Sequence, residues 1–245
     1  MNSYFESYDK LEKYPSNINY VSLLREVSNG ATTLGDSNKL ISTITELRRM
    51  RKYHKELFEK TFDNIISRFI TVYFKSSNDN THNNHVLLAG ISFVNELFSE
   101  FQFEFDESWI EKLYFAIEQF FCSKDNIIKQ LSREAANNLS INMHFTTTFT
   151  VFIESLDDCN EELAKFIYDL FILCFNNIDN TNLMFRYDWN EIIKNISIND
   201  DHNSSQFICL KHVFIALKNK LKDNWDEFFM GINTENKEII NLFFN

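Results

Sequence analysis

The sequence predicts an all-α protein, and three observations carry that expectation. Gly and Pro are scarce, at 4 and 1 of 245 residues, whereas sandwiches and barrels need many tight turns built on them. Apolar residues recur at three- and four-residue steps along most of the chain, the spacing of one helix face. Apolar residues make up 44% of the chain and aromatics 16%, with 26 Phe, enough to bury a large core and to exclude global disorder. Asn and Asp take over the loop role, as in KSSNDNTHNNH and NISINDDHNSSQ.

Residues 1–18 read as a polar lead-in with Pro15 near its end, and residues 19–245 as a single domain. NYVSLLREV places Val21, Leu24 and Val27 on one side of a first helix. NKLISTITELRRMRKYH follows with Leu40, Ile44, Leu47 and Met50, and ELFEKTFDNIISRFITVYF with Leu57, Phe62, Ile65, Ile66, Phe69 and Val72. An Asn-rich loop is expected over 76–85. VLLAGISFVNELFSEF is apolar nearly all round, which suits a helix with neighbours on two sides. Asp106 has the character of an N-cap, and behind it Trp109, Leu113, Ile117 and Phe120 make a stripe. SKDNIIKQLSREAANNLSIN carries Ile127, Ile128, Leu131, Ala135 and Leu139, and its Ala135–Ala136 step is small enough to let another helix come close. The remaining helical segments are TTFTVFIESL, EELAKFIYDLFILCF, MFRYDWNEIIKNI, SQFICLKHVFIALKNKL, DNWDEFFMGI and NKEIINLFF. Trp109, Trp189 and Trp225 fall at helical spacing with other apolar residues and are expected in the core.

About a dozen helices with mostly short connections, paired at intervals of about 40 residues, match HEAT-like units, each of which needs its neighbours to bury its apolar face. The expected architecture is an α-solenoid of HEAT-like helical hairpins, an armadillo-like right-handed superhelix.

Charge and motifs narrow the function. The net charge is −11, from 35 acidic and 24 basic residues, and such a chain gains little from a phosphate backbone, which disfavours nucleic acid. No apolar run reaches the length of a membrane span, and MNSYFESYDKLEKYPS lacks the cationic start and apolar core of a signal peptide. Cys122, Cys159, Cys174 and Cys209 are far apart among apolar residues, with no CxxC pair, so reduced, buried thiols of a cytoplasmic protein are expected. In so Asn-rich a chain, Asn-x-Ser/Thr at Asn138, Asn195 and Asn203 is a chance occurrence rather than a glycosylation signal. His82 and His85 stand three residues apart but have no carboxylate or Cys at ligand spacing, so no metal site is assigned. His54 and His212 read as packing histidines. No nucleophile elbow, P-loop, HExxH or dinucleotide fingerprint occurs, and neither catalytic residues nor a cofactor are assigned. The reading is therefore of a protein that acts by binding, not an enzyme.

Between residues 36 and 142 the order and spacing of the helical segments resemble a TOG domain, most closely the cytoplasmic-linker-associated and ciliary crescerin type. Leu47-Arg48-Arg49-Met50 with His54 stands where that family ends a helix in a Leu-Arg-x-Leu-x-x-x-His-like step. Ala89 to Phe98 matches its AxxxLxxLF helix, Asp106 to Phe121 its acidic turn and apolar helix, and Leu131-Ser132-Arg133-Glu134-Ala135-Ala136 its Arg-Glu-x-Ala helix. The resemblance implies tubulin or microtubule binding through loops along one edge of the stack, and a place in the cytoskeleton of a cilium or flagellum, the axoneme. Two of the three contact loops depart from the family. In Gly35-Asp36-Ser37-Asn38-Lys39 the usual Trp position reads Ser37, and Asn83-Asn84-His85 offers only His85 where a basic residue is usual. The third loop retains Lys124, Asn126 and Lys129. These departures point away from capture of free tubulin in the usual way and toward another contact, such as an assembled microtubule, where weak contacts add by avidity.

The one dense basic run, RRMRKYHK, holds Arg48, Arg49, Arg51, Lys52 and Lys55. It can be a solvated helix end, where cations suit the negative pole of the macrodipole, or an edge patch that meets an acidic surface such as tubulin. A second function class is an adaptor solenoid that binds another protein's helix or tail in its concave face. The Asn, Ile, Phe and Lys bias is ascribed to genome composition.

Overall fold

The computed structural model describes Phe5 and residues 7–32, 36–74, 84–99, 107–156, 159–196 and 205–244. Among these residues the chain forms helices and no strand. The α-helices are α1 Tyr20–Thr32, α2 Ser37–Tyr53, α3 Lys55–Phe74, α4 Asn84–Phe98, α5 Glu107–Glu118, α6 Asn126–Asn142, α7 Phe145–Glu154, α8 Glu161–Asn177, α9 Trp189–Ile196, α10 Ser205–Leu221, α11 Trp225–Met230 and α12 Thr234–Phe244. Short 3-10 turns cover Tyr8–Lys10, Thr181–Arg186 and Lys222–Asn224. Two compact units divide the chain, Met1–Ala135 and Ala136–Asn245, so the division falls inside α6.

In the first unit α1 packs on α2 and α3, α2 on α3 and α4, and α3 on α4 and α5. The stripes that drive this packing follow the 3.6-residue period. Leu40, Ile44, Leu47 and Met50 of α2 are buried, as are Phe58, Phe62, Ile65, Ile66 and Phe69 of α3. Phe62 sits at the centre of an aromatic cluster, its ring 5.3 Å from Phe58, 5.8 Å from Phe93 and 5.2 Å from Trp109. These are the separations at which edge-to-face and offset stacking add to simple burial. The apolar girth of α4 meets α2 and α3 on two sides.

In the second unit α8 packs on α7 and α10, and α12 on α9 and α10. Trp189, on α9, gathers Phe149, Phe175, Phe214 and Phe228 around it at 5.4–6.2 Å, and its indole N–H donates to the Met184 carbonyl at 2.7 Å. All three tryptophans are buried, as is the Ala135–Ala136 step.

Local chemistry sets the ends. Asp36 caps α2 by accepting from Asn38 N, and Asn160 caps α8 by accepting from Leu163 N. A single residue, His54, separates α2 from α3. The continuous segment expected over MFRYDWNEIIKNI is instead broken. Asp188 accepts from the backbone N–H of Asn190 and Glu191 and so starts a new helix after the 3-10 turn.

Several finer expectations are corrected. Val21 is 72% exposed, because the inward stripe of α1 runs through Leu23, Val27 and Ala31, and Val21 lies two residues, about 200°, away from it. Ile127 is likewise 61% exposed, since α6 turns inward along Ile128, Ser132, Ala135 and Leu139. Only Cys174 of the four cysteines is buried. Its thiol lies 4.0 Å from the Ser140 carbonyl, and burial pushes it well above the usual thiol range. No disulfide joins the four, all of which are described. His212 is exposed, and His85 stands in the first turn of α4 rather than in a loop. Asp106, His82, most of the 76–85 loop and all of the 198–205 loop except Ser205 lie outside the described residues.

Candidate protein-binding site

The basic run at the end of α2 faces inward. Arg48 is 2% and Arg51 3% exposed. Arg48 forms a bidentate pair with Glu96 of α4, Nε donating to the carboxylate at 2.9 Å and Nη2 at 2.7 Å. Arg51 Nη1 lies 3.7 Å from the same carboxylate and donates to the Glu96 carbonyl at 3.4 Å. One glutamate thus serves two buried guanidiniums, and the ion cluster pins α2 to α4. A planar guanidinium suits this role because its fork matches a carboxylate and its charge is weakly hydrated.

Arg49 and Lys52 turn the other way, toward the lead-in. Lys52 Nζ donates to three backbone carbonyls, of Tyr8 at 2.9 Å, Asp9 at 2.8 Å and Leu11 at 3.3 Å. Arg49 donates from Nε to the Glu12 carbonyl at 3.0 Å and from Nη1 to the Glu46 carboxylate at 3.0 Å. Its guanidinium also lies 4.3 Å from the centre of the Tyr14 ring, a cation–π distance. Tyr53 donates its hydroxyl to the Leu11 carbonyl. Leu11 and Tyr14 are buried, while Glu12, Lys13, Pro15, Ser16 and Asn17 are exposed. Tyr14 donates to the Glu46 carboxylate at 3.0 Å, and burial, reinforced by that carboxylate, raises its phenol above the ordinary tyrosine range. His54 completes the patch, stacked on Tyr14 at 5.7 Å with its Nε2 2.9 Å from the Tyr20 hydroxyl.

Arg48, Arg49, Arg51 and Lys52 are therefore not an open edge patch. The helix end is where cations are wanted, as the macrodipole argument has it, but their partners are Glu96 and the lead-in rather than solvent. Sequence reasoning missed both partners. Glu96 could have been found as the lone acid in the apolar stretch FVNELF, and the lead-in by its Leu11–Tyr14 pair at one helical step.

The turn into α6 has the opposite character. Asp125 is spent on structure, its carboxylate accepting from the N–H of Ile127 at 2.9 Å and Ile128 at 3.3 Å. Around it Lys124 and Asn126 are exposed, Lys129 is half-buried, and Ile127 presents its side chain to solvent. Two cations and an amide thus stand close in sequence to one exposed aliphatic group at the start of α6. Ser37 is the first residue of α2, and His85 is exposed on α4.

Among the described residues no group of three or more His, Cys, Asp and Glu side chains could hold a metal ion, and no helix is long and apolar enough to cross a membrane. No protein-family model matches the chain, and no curated protein is significantly similar to it.

Proposed function

We propose that the chain is a non-enzymatic helical-repeat scaffold that binds tubulin in assembled microtubules through the turn entering α6. The repeat reading is supported by the packing of alternate helices. In the first unit α1, α3 and α5 follow one another, with α2 and α4 beside them; in the second α8, α10 and α12 follow one another. Alternate-helix packing is what a two-layer stack of hairpins requires. The observation that carries the surface is the contrast between the two cationic groups: those of α2 are engaged inside the fold, whereas Lys124 and Asn126 stand exposed beside Ile127. The tubulin assignment, and with it a cytoskeletal, ciliary or flagellar axonemal role, rests on the TOG-like order of segments.

Co-sedimentation with polymerised microtubules tests this. The chain pellets at micromolar concentration, and Lys124→Glu with Lys129→Glu weakens pelleting; no pelleting of the parent refutes the reading. A second reading is an adaptor that takes a helix or tail of another protein. It is favoured by Ile208, Met230, Leu242 and Phe244, apolar side chains exposed on α10, α11 and α12. Substituting these four with polar residues abolishes partner binding under the adaptor reading and leaves microtubule pelleting unchanged.

A further inference from the structure

We propose that residues 7–14 form a releasable strap that occupies, in cis, an acidic-peptide site built from Arg49, Lys52 and Tyr53 on the last turns of α2. The strap involves different residues from the α6 turn and stands whether or not the partner is tubulin.

The Lys52 donors are fully committed while the strap is docked. An ammonium has three N–H groups, and Lys52 places one on each of three strap carbonyls. Arg49 gives one arm to the Glu12 carbonyl and another to Glu46. All the strap's hydrogen-bond acceptors toward these cations are neutral backbone carbonyls. A carboxylate forms a shorter and roughly twice as strong bond to the same donors, so an extended acidic segment is the ligand class able to replace the strap. The α2 side supplies what such a segment needs: two cations one helical turn apart, a phenol, and the pockets that Leu11 and Tyr14 fill.

The strap's apolar hold is small. Of residues 7–14 only Leu11 and Tyr14 are buried, and the rest of its hold is polar, from Lys52, Arg49 and Tyr53. Its internal backbone bonds are those of one 3-10 turn, Lys10 N to Ser7 O and Leu11 N to Tyr8 O. Segments with few buried contacts open locally at a small fraction of the global stability. Binding of an acidic peptide to α2 is then weakened in proportion to the fraction of molecules with the strap released.

The test is fluorescence-anisotropy binding of a short poly-glutamate peptide to the full chain at low salt. Leu11→Ala with Tyr14→Ala, confirmed as folded by helical circular dichroism, binds the peptide at least about tenfold more tightly than the parent, because release no longer limits the site. Adding Arg49→Gln and Lys52→Gln removes that gain. No gain in the folded anchor variant overturns the proposal, and so does a gain that survives loss of the two cations. Native-state hydrogen exchange of the unaltered chain keeps the test open if the anchor variant does not fold. The Lys10 and Leu11 amides exchange about a hundredfold faster than those of Ile44 and Leu47, and poly-glutamate accelerates them further. Equal protection of strap and α2 makes the segment an integral part of the core and refutes the device.

Discussion

Replacing Glu96 with Gln isolates the ion cluster that joins α2 to α4. The substitution keeps the size of the side chain, removes its charge, and turns one carboxylate oxygen into an N–H2 group facing Arg48, whose Nε and Nη2 now donate to it at 2.9 and 2.7 Å. The pair is mostly out of water, with side-chain exposures of 2% for Arg48 and 19% for Glu96. Removing one partner of a buried pair costs about 3–5 kcal/mol, because the other charge stays behind. The partial exposure of Glu96 places this case at the low end, about 3 kcal/mol. For a chain of this size each kcal/mol moves the midpoint by about 2–4 °C, so Tm falls by about 6–12 °C. Arg48→Met is milder, about 1–2 kcal/mol, since Glu96 retains Arg51 at 3.7 Å. The glutamate is shared and each arginine is not, so the order of the two effects follows. Differential scanning calorimetry of both variants measures it. A fall of less than 2 °C for Glu96→Gln, or a larger loss for Arg48→Met than for Glu96→Gln, refutes the shared-carboxylate account.

Three further outcomes follow from single contacts. A Cβ on Gly30 would lie 2.3 Å from Thr43 Oγ1, and Thr43 is stiff at χ1 with that hydroxyl donated to the Lys39 carbonyl. Gly30→Ala therefore forces α1 from α2 and destabilises by about 1–3 kcal/mol, and Thr43→Ala restores most of the loss in urea titrations. Asn160→Ala removes the cap of α8 and costs about 1 kcal/mol by the same measurement. Burial raises the phenols of Tyr73 and Tyr168 and the thiol of Cys174 above their ordinary values of 10.0 and 9.0. A group whose folded pKa is raised stabilises fully below its unfolded value and loses that contribution as pH rises. Urea midpoints accordingly hold up to about pH 9 and fall through pH 10–11, and Cys174 resists alkylation until the chain unfolds, whereas Cys122 does not.

The fold class was legible because helix periodicity survives even in an unusual composition. Leu40, Ile44, Leu47 and Met50 declare their face without any neighbour being known, and the three tryptophans declare theirs. Faces at helix ends were less legible. Val21 and Ile127 sit in the first turn of α1 and α6, each rotated off the stripe that is buried, and a short run of apolar residues leaves more than one face open to choice. The break at Asp188 escaped notice because Asp serves equally as a surface residue and as a cap. The candidate site was legible in composition and not in direction. RRMRKYHK is visible as cationic, but its orientation depends on Glu96, 48 positions from Arg48, and on carbonyls of the lead-in. Backbone carbonyls are the same in every residue type and leave no trace in a sequence.

The inward turn of those arginines bears on any acidic partner. The chain carries −11 overall, and four of the five cations in its densest basic run are committed to Glu96, Glu46 and the lead-in, which leaves little of that run to offset the acidic surface. Long-range steering then opposes approach of an acidic lattice such as a microtubule. Attraction has to come from a few local contacts, at distances shorter than the Debye length of about 8 Å at physiological salt. The turn at Lys124, Asn126 and Lys129 meets that requirement because Ile127, exposed between the polar groups, adds an apolar contact that salt does not screen. Under the proposed microtubule reading, binding through it has a shallow salt dependence, whereas under the strap proposal binding through released Arg49 and Lys52 is steep and requires the strap to open. The two surfaces are thus separable in one titration, by the salt slope of the parent against that of the Leu11→Ala, Tyr14→Ala variant.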